Sequence, residues 1–338
     1  MKRSSTTAGL VIAVLAALSF GTSGAFGKAL IDAGWSPIAA VTGRVLIGGI
    51  VLLPFAIHQL RGRWIALWHA RTRVLLMALV GVAATQLVYF SSVKLIPVSD
   101  AVLIEYLAPV ILVGWFWART RRIPKAVVLI GSVVALGGLV LVVSPQAGTS
   151  LPALGLILAF TGAIGCSVYY VIAAMPSDDL PPVGLACVSI LLGGIALLIV
   201  GATGLLPFTM TFTTVNLFGG GVPWWIPLLV LGVVACGFAY AASITASELL
   251  GSRLASFMGL LEVVAAALYA WLLLGQDLRW PQLVGGVLIL GGIAFVRSDK
   301  GVDAPLEPLA VTTEIPVIAT PAPSVTGTTS ELTSTTAP

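Results

Sequence analysis

Polar positions in this chain come in short clusters. Between them run long apolar stretches with neither a period of two nor a charged face. Bounded by proline, glycine or charge, the stretches fall at about residues 9–31, 37–57, 74–93, 99–118, 124–144, 153–174, 182–202, 223–246, 252–274 and 281–297. Each lies near the roughly 20 residues that a helix needs to cross about 30 Å of hydrocarbon. A membrane barrel would show shorter, alternating segments instead. The pattern predicts an all-α integral membrane protein with ten transmembrane helices.

The pattern also repeats. Residues 101–143 align without a gap to 255–297, 154 positions later, with 11 of 43 positions identical. GSVVALGG at 131–138 returns as GGVLILGG at 285–292, and GRVLIGGIVLL at 43–53 parallels VSILLGGIALL at 188–198. Gly21-Thr-Ser matches Gly165-Cys-Ser, and Tyr89 with Ser92 matches Tyr240 with Ser243. These matches divide the chain into two five-helix repeats, 9–145 and 152–298, after a short N-terminus of residues 1–8. Five is odd, so the second repeat is expected to enter the membrane inverted. Repeats of that kind place a site at their interface near the midplane and open it to each side in turn. The first stretch has the composition of a signal peptide, but its counterpart in the second repeat makes it a retained helix. Residues 299–338 are rich in Pro, Thr and Ser without apolar periodicity and are expected to be a disordered cytoplasmic tail.

Composition agrees with solvation by lipid. Hydrophobic residues are 58% of the chain and charged residues 9%, against roughly a quarter charged in soluble domains. Thirteen of the 17 Lys and Arg fall on one side of the ten-span arrangement, and only Lys94 and Arg279 fall in loops on the other. By the positive-inside rule both termini are cytoplasmic, in a plasma (inner) membrane. The net charge of +4 thus reflects loop placement rather than nucleic-acid binding. HQLRGRWIALWHARTR at 58–73 has the composition of a short helix lying on an anionic lipid surface. Trp224 and Trp225 close an uncharged outer loop as an interfacial anchor. Cys166, Cys187 and Cys236 sit in apolar runs and read as buried thiols. With two histidines in one basic segment and no phosphate-binding motif, neither a cofactor nor a metal is expected, and an enzyme is a low-ranked alternative.

Two five-helix repeats, glycine-rich fifth and tenth spans, Arg44 early in the second span and LLEVVAAALYAWLLLGQDL in the ninth resemble the EamA-type transporters of the drug/metabolite transporter superfamily. The resemblance covers about residues 8–298 and implies export of amino acids or other small metabolites, with proton coupling. In that family a proline usually follows the glutamate of the ninth span. Here Val263 follows Glu262, while Pro109 holds the equivalent place in the first repeat. A kink is therefore expected in one half only.

An ionisable group within a span is costly, so each needs a reason. Lys28 lies near a span end and can snorkel to headgroups. Arg44 and Glu105 both lie roughly 10 Å in, at 1.5 Å per residue. Two readings stay open for them: a structural salt bridge, or an arginine fork for a substrate carboxylate with Glu105 as its release group or proton acceptor. Glu262, near the midplane with no cation in its own span, is the candidate for proton coupling; a permanently protonated, hydrogen-bonded carboxyl is the alternative. Ser19, Thr22, Ser23 and Phe26 share one helical face. With Gln86, Tyr89, Tyr169, Tyr170, Tyr240 and Ser243 they make up the candidate substrate lining, each also readable as helix–helix glue. The glycine pairs at 137–138 and 291–292 are expected to allow close packing, within the chain or at a homodimer contact. The chain reads as an alternating-access, proton-coupled exporter of a small metabolite such as an amino acid. Nucleotide-sugar or lipid-linked cargo is the alternative, with a channel or intramembrane enzyme ranked lower.

Overall fold

The computed structural model describes residues 2–96, 98–121, 123–143, 152–175, 180–217, 219–274 and 280–298. The expected disordered tail and the loop joining the repeats lie outside the described residues. The helices are α1 (Lys2–Asp32), α2 (Pro37–Leu60), α3 (Trp64–His69), α4 (Arg71–Leu95), α5 (Val98–Glu105), α6 (Ala108–Thr120), α7 (Ala126–Val143), α8 (Ala153–Ala173), α9 (Pro182–Ala202), α10 (Trp225–Gly259), α11 (Leu261–Leu274) and α12 (Trp280–Ser298). Seven helical stretches among the described residues are long and apolar enough to cross a membrane: Thr6–Asp32, Pro37–Leu60, Arg71–Leu95, Ala101–Thr120, Ala153–Ala173, Pro182–Ala202 and Trp225–Gly259. Ala126–Val142 and Trp280–Val296 are apolar but shorter. The eighth and ninth expected spans share α10, which bends at Gly251 (φ 78°, ψ 159°), a left-handed position that suits glycine.

The all-α expectation needs one addition. The loop after α9 carries an antiparallel hairpin of β1 (Thr214–Leu217) and β2 (Gly220–Pro223). Its lead-in is tied to the turn between α1 and α2. The Ser36 N–H donates to the Thr209 carbonyl at 3.0 Å, and the Trp35 indole N–H to the Thr211 carbonyl at 2.7 Å. Trp224 packs on Trp35 with ring centroids 5.9 Å apart, so it serves this cap as well as any lipid surface. The basic segment forms α3 as expected, with Trp64, Ile65 and Trp68 exposed.

The largest packing contacts join one repeat to the other. Without a hydrophobic drive between helices in lipid, close approach rests on small residues. Gly49 faces Leu191 while Gly194 faces Leu46, the exchange that the repeat alignment demands. The doubled glycine motif has the same logic. Gly131 approaches the Gly292 carbonyl, and Gly138 that of Gly285, so α7 and α12 pack antiparallel in register about the pseudo-two-fold axis. Gly137 and Gly291, the other members of each pair, have nothing within 4 Å of where a Cβ would stand.

Two irregularities recur at matching places. Residues Met77–Ala84 of α4 and Val230–Phe238 of α10 are wound as π-helix, a form frequent at functional sites. The fourth span breaks at Tyr106–Leu107, where the Leu107 N–H reaches back three residues to Ile104. The ninth breaks at Leu260, whose N–H reaches Phe257 in the same way. The expected single kink is thus corrected to two. Val263 in place of proline does not remove the break, because a tightened turn supplies it.

Candidate functional site

The breaks and the π-helical turns meet around one cavity of about 130 Å³. That is close to the roughly 150 Å³ known to admit a molecule of benzene's size. Helices α1, α2, α4, α5, α8, α10 and α11 all contribute to its lining. Both repeats are therefore needed to build it.

Arg44 lies in its wall, only 1% exposed. Its Nη1 donates to Ser23 Oγ at 2.8 Å and to Gln86 Oε1 at 2.9 Å, and its Nη2 donates to the Ala235 carbonyl at 2.7 Å. That carbonyl lies within the π-helical turn Val230–Phe238. Nε has no partner. Among the described residues Arg44 makes no ion pair, so the Arg44–Glu105 salt bridge is not formed; the two line the same cavity instead. The guanidinium also stands 5.7 Å from the centre of the Phe90 ring.

Both intramembrane carboxyls come from the broken helices. Glu105 ends α5, with its Oε1 3.9 Å from where a Cβ on Gly162 of α8 would stand. Glu262 lies in the first turn of α11, where helix dipoles favour negative charge. Gly21 lets α1 close against that turn, for a Cβ there would come within 2.8 Å of Ala265 Cβ. Tyr106, at the first break, lines the cavity together with Glu262. Tyr89, Tyr169, Tyr170 and Tyr240 complete an aromatic wall, and Tyr169 meets Tyr240 edge to face at 5.6 Å.

Of the candidate substrate residues, Arg44, Glu105, Ser23, Gln86, Tyr89, Tyr169, Tyr170 and Tyr240 line this cavity together with Glu262. Ser19 and Thr22 turn back on their own helix, donating to the Leu15 and Ser19 carbonyls. Phe26 belongs to a separate apolar cluster with Leu30 and Trp35. Ser243 lines a smaller neighbouring cavity. The polar stripe on α1 thus delivers Ser23 alone, and Phe20 stands beside it. Tyr106, Thr85 and Cys166 also line the cavity and were not singled out from sequence. For Tyr106 the signal was there, since it follows Glu105 directly at the break. Lys28 pairs with Asp32 at 2.9 Å in an exposed position, away from the cavity.

Residues 7–144 and 153–298 each match the EamA-like transporter family. The chain belongs to that family. It is therefore a multi-pass membrane transporter of the drug/metabolite transporter superfamily, acting on a small molecule. It is similar to the uncharacterized inner membrane transporter YicL of Salmonella typhimurium, 25% identical over 312 residues that cover 88% of this chain and 97% of that one. An uncharacterized transporter of Archaeoglobus fulgidus is 24% identical over 280 residues, 83% of this chain and 93% of its own. A solved crystal structure shares the fold with a TM-score of 0.68 at 19% identity, covering 86% of this chain and 96% of that chain.

In this family member one further polar cluster joins the repeats. Arg73 at the start of α4 pairs with Glu248 of α10 at 3.2 Å, the two side chains being 10% and 19% exposed. Arg73 also donates to the Ile172 and Ala173 carbonyls at the end of α8, at 3.1 and 3.3 Å. One guanidinium thus ties three helices at the end of the bundle that holds the N-terminus of α1. Sequence reading placed Arg73 among loop cations and passed over Glu248.

Proposed function

We propose that the chain is an alternating-access, proton-coupled exporter of a small carboxylate-bearing metabolite such as an amino acid. It would cross the inner membrane ten times with both termini cytoplasmic. The observation that carries this reading is Arg44: a buried arginine in the cavity wall, held by neutral partners and without an acid in ion-pair range among the described residues. A buried cation of that kind favours an incoming anion, and a guanidinium offers a carboxylate paired donors. Glu105 and Glu262 suit the ammonium end of a zwitterion. In this scheme ammonium and proton compete for Glu262, so that a proton entering from outside displaces the substrate. Competition for one group is enough to couple the two flows.

Alternating access finds support in the paired helix breaks and π-helical turns, which give each repeat the same means of bending. The Arg73–Glu248 cluster fits a latch closing the N-terminal end. Nucleotide-sugar or lipid-linked cargo fits less well, because Arg44 is the only cation among the described residues lining a cavity of about 130 Å³.

The test is uptake of a labelled amino-acid panel into proteoliposomes, with and without a pH gradient. Concentrative movement of one class, collapsed by a protonophore, supports the proposal. Absence of movement of every amino acid in folded protein refutes the amino-acid assignment.

A further inference from the structure

A second, smaller cavity lies beside the first in the seam between α1, α10 and α11. Ala13, Ala16 and Ala17 of α1 form one wall, and Ser243, Ala255 and Gly259 belong to the facing one. Phe20, Tyr170 and Glu262 line both cavities and so form the partition between them. Glu262 therefore has two faces. One looks into the substrate cavity; the other looks into a space that no organic substrate fits.

Its volume, about 10 Å³, is that of a single water site. A buried water needs roughly that much room together with two to four polar partners. Ser243, Tyr170 and Glu262 provide them, and the Tyr170 hydroxyl points at Gly259, on the rim of this space. The alanine stripe extends the seam about 10 Å along α1 from Phe20 to Ala13, at 1.5 Å per residue. Beyond Ala13 the seam is closed by Leu250 against Gly9, where a methyl group would meet Leu250 at 2.9 Å. Leu250 directly precedes the Gly251 bend, so the seal stands at a point where the helix can change direction.

We propose that this side cavity is a water site through which Glu262 exchanges its proton, separate from the path taken by the substrate. The inference rests on the reading of Glu262 as the coupling carboxyl. The titratable groups facing Glu262 are Arg44 of α2, Glu105 and Tyr106 at the first break, and Tyr170 of α8. Tyr89, Tyr169 and Cys166 share the lining of the main cavity with it. The α1 wall brings only alanines and Phe20. A proton leaving through the side cavity therefore avoids both the other carboxyl and the arginine.

Infrared spectroscopy of the full-length protein in liposomes, transferred from H2O to deuterated water, tests this directly. Glu262→Gln assigns the protonated carboxyl band at acidic pH. The band should shift rapidly in the unmodified protein. Ala16→Leu, which fills the side cavity, should slow the exchange by roughly tenfold, equivalent to about 1.4 kcal/mol of added barrier. Ser243→Ala removes a water partner without adding bulk and should slow it in the same direction. The Glu105 band should exchange at its original rate in both variants. Unchanged Glu262 exchange in Ala16→Leu and in Ser243→Ala overturns the side route and assigns proton entry to the main cavity. A Glu262→Gln protein that still drives uphill transport overturns the coupling assignment instead, whatever the exchange rates.

Discussion

Replacing Gly138 by alanine tests the axis on which the two repeats meet. The new methyl group would lie 2.5 Å from the Gly285 carbonyl oxygen and 2.8 Å from the Ile289 nitrogen, both backbone atoms that cannot swing aside. Relief requires α7 and α12 to separate by about 1 Å, since carbon contacts are most favourable near 3.5–4.0 Å. A gap of that size forfeits roughly a quarter to a half of the dispersion energy of the facing atoms. Dispersion and close packing are what hold transmembrane helices together. Overpacking of this kind costs about 1–3 kcal/mol. Gly137, one residue away, has open space where its Cβ would stand. Alanine there should be neutral, or stabilising by up to about 1 kcal/mol through helix propensity. The assay is thermal unfolding read by a thiol-reactive dye, because Cys187 and Cys236 are buried and become reactive on unfolding. Gly138→Ala should melt well below the unmodified protein and Gly137→Ala at or above it. In the double variant Gly138→Ala with Gly285→Ala the second change should cost less than it does alone, because the helices are already apart and contacting sites are not additive. Equal melting of the two single variants would refute the reasoning, as would a strictly additive double variant.

Other expected outcomes concern the cavity and its surroundings. Arg44→Ala removes three hydrogen bonds and should reduce transport of carboxylate substrates by about two orders of magnitude, the equivalent of roughly 2.8 kcal/mol. Arg44→Lys should recover only part of this, since one ammonium cannot replace a rigid fork; equal loss for neutral solutes would mark Arg44 as purely structural. Glu262→Gln should abolish transport driven by a pH gradient while sparing exchange of labelled for unlabelled substrate, which needs no net proton movement. Glu248→Gln, by loosening the tie to Arg73, should raise labelling of Cys166 by an impermeant maleimide applied from the N-terminal side by roughly tenfold, as expected for about 1.4 kcal/mol taken from the closed state. Unaltered labelling would remove the latch from the mechanism. Gly291→Ala, with nothing within 4 Å of where its Cβ would stand, should leave both melting and oligomeric state unchanged, and a loss of dimer alone would reveal a homodimer contact there.

Much of this architecture could be read along the chain, because lipid imposes a simple rule on sequence. A membrane span must be apolar for its whole length, so spans, repeats and the rare ionisable residues within them stand out without any knowledge of packing. The glycine register at 131–138 and 285–292 was visible for the same reason. It needs only the alignment of the chain with itself. Arg44, Glu105 and Glu262 were identifiable as costly residues, but their relation to one another was not. Depth along a helix can be counted, whereas the face that a residue presents depends on how neighbouring helices rotate against it. For that reason Ser19, Thr22 and Ser23, three hydroxyls on one stripe, ended with only Ser23 in the cavity, and Arg44 found Gln86 and Ala235 rather than Glu105. The π-helical turns and the break at Leu260 had no local signature at all. One of them carries an Arg44 hydrogen bond to a backbone carbonyl 191 residues away, a contact that only the tertiary structure supplies. Sequence alone determined that this chain spans a membrane as a duplicated transporter. Which side chains meet to form its cavity was decided only by the packing of one repeat into the other.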